Sequence, residues 1–166
     1  MFDDSGYSRK ISLLRNLISI RLENCDQSDW HLDSGASTHI VSNINLLSNV
    51  CYQPKIKEII VANQTVVEVL CSGDLQITTC VGKKEYIINV NNVLCVPNVT
   101  TNLLSVSRII ASGNKVMFNE HGCLIYNASN ECIGEAMLKN GVYKLNIVMA
   151  EKPLVAAVKT SDIIDH

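Results

Sequence analysis

Aromatic side chains make up 5% of the 166 residues, with a single Trp. Proteins that grip single-stranded nucleic acid do so on stacked aromatic platforms, and this chain has too few to build one. An excess of positive charge is missing as well. Fourteen Lys and Arg face sixteen Asp and Glu, for a formal net charge of -2, whereas a nucleic-acid surface needs clustered basic residues. No apolar run approaches the roughly 20 residues of a membrane span. The opening "MFDDSGYSRK" is acidic where a signal peptide would be basic. The seven cysteines contain no C-x-x-C pair, which removes the commonest zinc half-site. They are read as buried free thiols of a reducing compartment. Asn63, Asn98 and Asn127 open N-x-S/T triplets, which matter only in a secreted chain.

What is present is a globular composition, 47% hydrophobic and 18% charged. Residues 1–28 read as a flank in which "KISLLRNLISIRL" suits one short amphipathic helix. From Asp29 onward, short runs rich in Val, Ile and Thr alternate with Asn, Gly and Pro. "EIIVA" meets "TVVEVL" across "NQ", and "DLQITTCVG" meets "YIINVNNVLCV" across "KKE". This predicts an all-β body, a small closed β-barrel over 29–113 with one short closing helix. Asn102 is expected to cap that helix and Gly113 to end it. Turn signals at Glu120-His121-Gly122, Asn127–Asn130 and Asn140-Gly141 predict three or four further strands over 114–147. Residues 148–166 are expected to be a linker.

One stretch carries chemistry: "SDWHLDSGASTHIVSN", Ser28 to Asn43. Asp33 follows a strand-like apolar segment and precedes Gly35, which tolerates a sharp turn. Ser34 offers a hydroxyl able to lock such a turn, and Ala36 keeps the approach uncluttered. The same tripeptide at Asp4-Ser5-Gly6 lies in a polar terminus without this setting. Peptide hydrolysis by carboxylates needs two of them, one as base and one as acid. Glu58, Glu68, Asp74 and Glu85 lack a comparable turn. A two-fold dimer supplies the partner, because a residue near the axis meets its own copy. Two such carboxylates cannot both ionise and titrate as a unit.

"WHLDSGASTHIVSN" resembles the active-site loop of the protease of copia-type LTR retrotransposons, a relative of retroviral aspartic proteases. "VLCVPNVTTNLLSVSRIIASGNKVMFNEHGCLI" resembles the segment that follows it in copia-type polyproteins, and "NGVYKL" the lead-in to the pre-integrase region. The resemblance implies a retropepsin-like barrel that acts as a homodimer on its own Gag-Pol polyprotein, in the cytoplasm within the element's virus-like particle. No metal or cofactor is implied. Asp33 then corresponds to the catalytic aspartate, Ser34 to the hydroxyl residue that braces the two loops across the dimer, and Gly35 and Ala36 to the rest of the active-site loop. The hairpin around Ala62, Asn63, Gln64 and Thr65 resembles the substrate-binding flap, and "TNLLSV" occupies the place of the closing helix. Retroviral enzymes carry two apolar residues and a glycine just before that helix, where this chain reads Asn98-Val99-Thr100-Thr101-Asn102. The alternative reading is a catalytically inactive barrel left by a decayed or co-opted element, serving as a structural or interaction module. His31, His39 and His121 lack further ligands at metal spacing and are assigned loop or packing roles. Arg108 is expected to be solvated.

Overall fold

The computed structural model describes residues 29–61, 64–99 and 101–153; the expected helix within 1–28 and the end of the expected linker lie outside them. The described chain is β throughout, with one short helix. The strands are β1 Trp30–Asp33, β2 Ile40–Val41, β3 Ser48–Cys51, β4 Glu58–Ile60, β5 Val66–Glu68, β6 Cys71–Val81, β7 Lys84–Cys95 and β8 Asn102–Ser105. After helix α1, Val106–Ala111, come β9 Lys115–Phe118, β10 Gly122–Tyr126, β11 Cys132–Lys139, β12 Val142–Leu145 and β13 Ile147–Glu151.

The turns form where the sequence permits them. β6 and β7 pair antiparallel up to Val81↔Lys84, which leaves Gly82-Lys83 as a two-residue loop with Gly82 at φ 62°. Asn140-Gly141 joins β11 to β12 with φ values of 51° and 79°, the positive angles that a primed hairpin turn demands and that Asn and Gly tolerate. Gly113, at φ 92°, follows the helix.

One sheet runs in the order β13-β6-β7-β2-β8-β1-β12-β11-β10-β9, with β3 also on β6, while β4 and β5 form a separate hairpin. The end strands do not pair with each other. The barrel is completed by chain continuity instead. β12 lies against β1 (Leu32↔Tyr143), and after one intervening residue β13 lies against β6 (Ile147↔Thr79). That residue, Asn146, donates its N–H to Glu135 O at 2.8 Å and accepts from Cys80 N–H at 3.3 Å, and its side chain donates to Cys80 O. Thr79 Oγ1 adds a bond to Ile133 O across the same junction.

β1 sits at the centre, parallel to β8 on one side and antiparallel to β12 on the other. All four of its residues are buried, as expected of a strand covered on both faces. The main core joins Trp30, Leu32, Ile77, Val93 and Leu104 to Ile125, Ala136 and Leu145. The residues beyond 113 therefore share the core of those before it, and the boundary expected at 113 marks no break in packing. Each fully buried Leu or Ile contributes about 1.5–3 kcal/mol. A second cluster, Ile40, Val69, Leu94, Val96 and Leu103, fills the other face of the central strands.

Three expectations are corrected. Asn102 does not cap the helix, because Asn102–Ser105 is a strand paired with β1, and the cap is Ser105, whose side chain accepts from Arg108 N–H. The segment directly before the helix is thus Leu103-Leu104-Ser105, two apolar residues with Ser in the glycine's place, and not the Asn98–Asn102 stretch. The linker expected from 148 begins later, since β13 continues to Glu151 on β6.

Candidate functional site

Asp33 is the last residue of β1 and only 5% exposed. In the parallel ladder it stands opposite Ser105, the last residue of β8. The chain then turns, and Gly35 N–H donates to Asp33 Oδ1 at 2.7 Å. This bond orients the carboxyl group at the strand end. Ser34 and Ser37 are exposed, Gly35 and Ala36 half-buried, and Thr38 and His39 buried. The loop therefore rises to the surface just after Asp33 and dives back by His39.

Side chains in a strand alternate faces, so β1 divides its chemistry. Trp30 and Leu32 belong to the main core, whereas His31 and Asp33 point to the opposite side. On that side His31 registers with Leu103 and Lys144, and Leu103 registers with Ile40. Leu103 and Ile40 belong to the second cluster, and the partly buried Ile59 of β4 and Val67 of β5 pack against it. The β4–β5 hairpin thus covers the sheet face that carries Asp33. It leaves the barrel as a unit, closed by Val69 N–H to Lys57 O and Val61 N–H to Thr65 O, each 2.9 Å. Gln64, at φ 60°, and Thr65 lie at its tip; Ala62 and Asn63 lie outside the described residues.

From behind, the loop is held by residues to which the sequence reading gave no such part. Ser105 Oγ donates to Ala36 O at 2.6 Å, and Arg108 Nε donates to Ser37 O at 3.3 Å. Arg108 is half-buried and holds the loop through this solvent-exposed bond. The hydroxyl seen bonded to the loop within the chain is that of Ser105, while Ser34 is exposed. Ser105 N–H donates to His39 Nδ1 at 3.0 Å. His39 is buried, and burial, with the Arg108 charge beside it, pushes its pKa down to about 4. The only advance signal was the "LLSVSR" run, where a buried Ser after two leucines marks a strand-to-helix junction.

His31, two residues before Asp33, is 4% exposed, and its Nδ1 has no hydrogen-bond partner among the described residues. Burial lowers its pKa, Asp29 raises it and Lys144 lowers it. Asp29 and Lys144 themselves pair at 2.6 Å. His121 is exposed on a hairpin turn, its N–H donating to Asn119 Oδ1. Among the described residues no group of His, Cys, Asp and Glu is arranged to hold a metal ion. No helix among them is long and apolar enough to cross a membrane.

The model of the Pol polyprotein beta-barrel domain family matches residues 30–114, just over half of the chain. That span runs from the first residue of β1 through the Asp33 loop, the hairpin, β8 and α1. A retrovirus-related Pol polyprotein from transposon RE1 of Arabidopsis thaliana is 36% identical over 94 residues, covering 55% of this chain. The chain spans only 6% of that relative's length. No solved structure matches. The chain belongs to the Pol polyprotein beta-barrel domain family and is a Pol region of a copia-type retrotransposon.

Proposed function

We propose that this β-barrel is the aspartic endopeptidase of the Pol polyprotein, active as a homodimer with one Asp33 from each copy. The observation that carries the reading is the setting of Asp33: a buried carboxylate at the end of the central strand, oriented by Gly35 N–H on the face covered by the β4–β5 hairpin. A rigid strand end presenting an oriented side chain is what a reacting group needs. The exposed Ser34 beside it is available to brace the partner's loop. Two Asp33 carboxylates a few ångströms apart share one proton. The ionised one takes a proton from water as it attacks the scissile carbonyl, and the protonated one gives its proton to the carbonyl oxygen. The substrate is an extended segment of the element's own Gag-Pol polyprotein, held as an added strand beneath the hairpin. Closure of the hairpin then excludes bulk water. On this reading the protein works in the element's virus-like particle in the cytoplasm.

Asp33→Asn should abolish cleavage of a Gag-Pol junction peptide by the full chain. Cleavage at the unchanged rate would overturn the assignment. A chain that stays monomeric in sedimentation at high micromolar concentration, and cleaves nothing, would point to the structural-module reading.

A further inference from the structure

Both ends of the loop from Asp33 to His39 converge on one residue. At the start, Asp33 is the ladder partner of Ser105. In the middle, Ala36 O accepts from Ser105 Oγ at 2.6 Å. At the finish, the His39 ring accepts Ser105 N–H at 3.0 Å. Ser105 is fully buried, and its hydroxyl also meets Ser107 Oγ at 3.0 Å and Arg108 N–H at 3.3 Å. A backbone N–H can only donate, so Nδ1 must carry the lone pair and Nε2 the proton. An imidazolium has no lone pair on either nitrogen and cannot accept this bond.

We propose that His39 is a positioning residue for the Asp33 loop: its neutral imidazole docks the loop onto Ser105, and protonation releases it. The inference deepens the protease reading, since it concerns the same loop, but its measurements do not depend on cleavage. The surroundings support it. His39 lines a cavity of about 310 Å³ between α1 and the sheet. Leu104, Ile109, Ile77 and Ile125 supply apolar walls, and Asn89 and Asn114 stand among its polar lining. Arg108 from α1 is the one charged side chain in that lining; β6, β7, β10, β11 and β12 present apolar or amide groups. Among the described residues of that lining none is acidic, and both burial and Arg108 oppose an imidazolium. The clasp is therefore intact across the mildly acidic range in which a carboxylate dyad holds one proton, and opens only in stronger acid.

The test is an NMR titration of the full chain, following the His39 ring nitrogens and the Gly35 and Ser105 amides, with His39→Asn and His39→Leu beside it. Asn keeps an acceptor and cannot titrate; Leu removes the acceptor. In the wild type the His39 ring should stay in the Nε2–H form at pH 6 and titrate near pH 4, with the Ser105 amide moving at the same midpoint. His39→Asn should erase that step at the Ser105 amide while keeping the Gly35 amide protected from exchange. His39→Leu should speed the Gly35 exchange at least tenfold at pH 6. A ring midpoint near 6.5 overturns the proposal. So does a Ser105 step that persists in His39→Asn, which would belong to a carboxylate, or loop protection unchanged in a folded His39→Leu chain. If His39→Leu fails to fold, the wild-type and Asn titrations still decide. A chain that cleaves no peptide yet shows this titration refutes the protease reading and leaves the clasp standing.

Discussion

Ending the chain after Asn114, where the family match stops, is expected to abolish independent folding. The missing residues include Cys123, Ile125, Ala136 and Leu145, each at most 4% exposed in the main core. Ile125 and Leu145 alone represent about 3–6 kcal/mol of burial. Their loss also uncovers Leu32, Ile77 and Leu104, and strips β1 of its partner β12. β6 loses β13 at the same time. A total of roughly 5–8 kcal/mol is comparable to the whole stability of an ordinary domain. The assay is urea unfolding followed by far-UV circular dichroism, comparing the full chain with the chain ended at residue 114. The full chain should unfold in one cooperative transition, and the shortened chain should show none. A cooperative transition in the shortened chain within about 2 kcal/mol of the full chain would refute the shared core.

Further outcomes follow from single contacts. Ser105→Ala removes both the α1 cap and the bond to Ala36 O, and should lower stability by about 1–2 kcal/mol, read as a fall in the urea midpoint. Gly122→Ala should cost more than about 2 kcal/mol, read as a fall in Tm, because a Cβ there would lie 2.0 Å from Ala136 O, a backbone atom that cannot swing aside. The pH dependence of stability has a definite sign. His39 has a folded pKa depressed from 6.5 to about 4, so in that interval the unfolded chain takes up a proton that the folded chain refuses. Stability should therefore be full above pH 6.5 and fall by about 3 kcal/mol on acidification to pH 4. His39→Asn should flatten this part of the urea-midpoint profile.

The sequence announced its strands wherever turn chemistry was explicit. Gly82 and Asn140-Gly141 set their hairpins because few other residues take those angles. Asp33 stood out because an apolar strand led into a small-residue turn. The run "NLLS" misled because a strand buried on both faces has no alternation, and two consecutive leucines suit a helix as well. The cap fell on Ser105 because pairing with β1 holds residues 102–105 extended. Tertiary pairing thus outweighed local preference. The closure through Asn146 and the convergence on Ser105 were illegible for another reason. Both join segments far apart in sequence, and periodicity carries no record of which strands become neighbours. The role of His39 depended on such a juxtaposition, so a lone histidine gave no reason to single it out.

The claim that Asp33 acts only as a pair is tested most directly by mixing. Wild-type chain and Asp33→Asn chain are combined at equal concentration, allowed to exchange subunits, and assayed on a Gag-Pol junction peptide. If the site needs an Asp33 from each copy, random pairing leaves roughly a quarter of the activity of an all-wild-type sample at the same total concentration. Half the activity would mean that each chain works alone and would contradict the account.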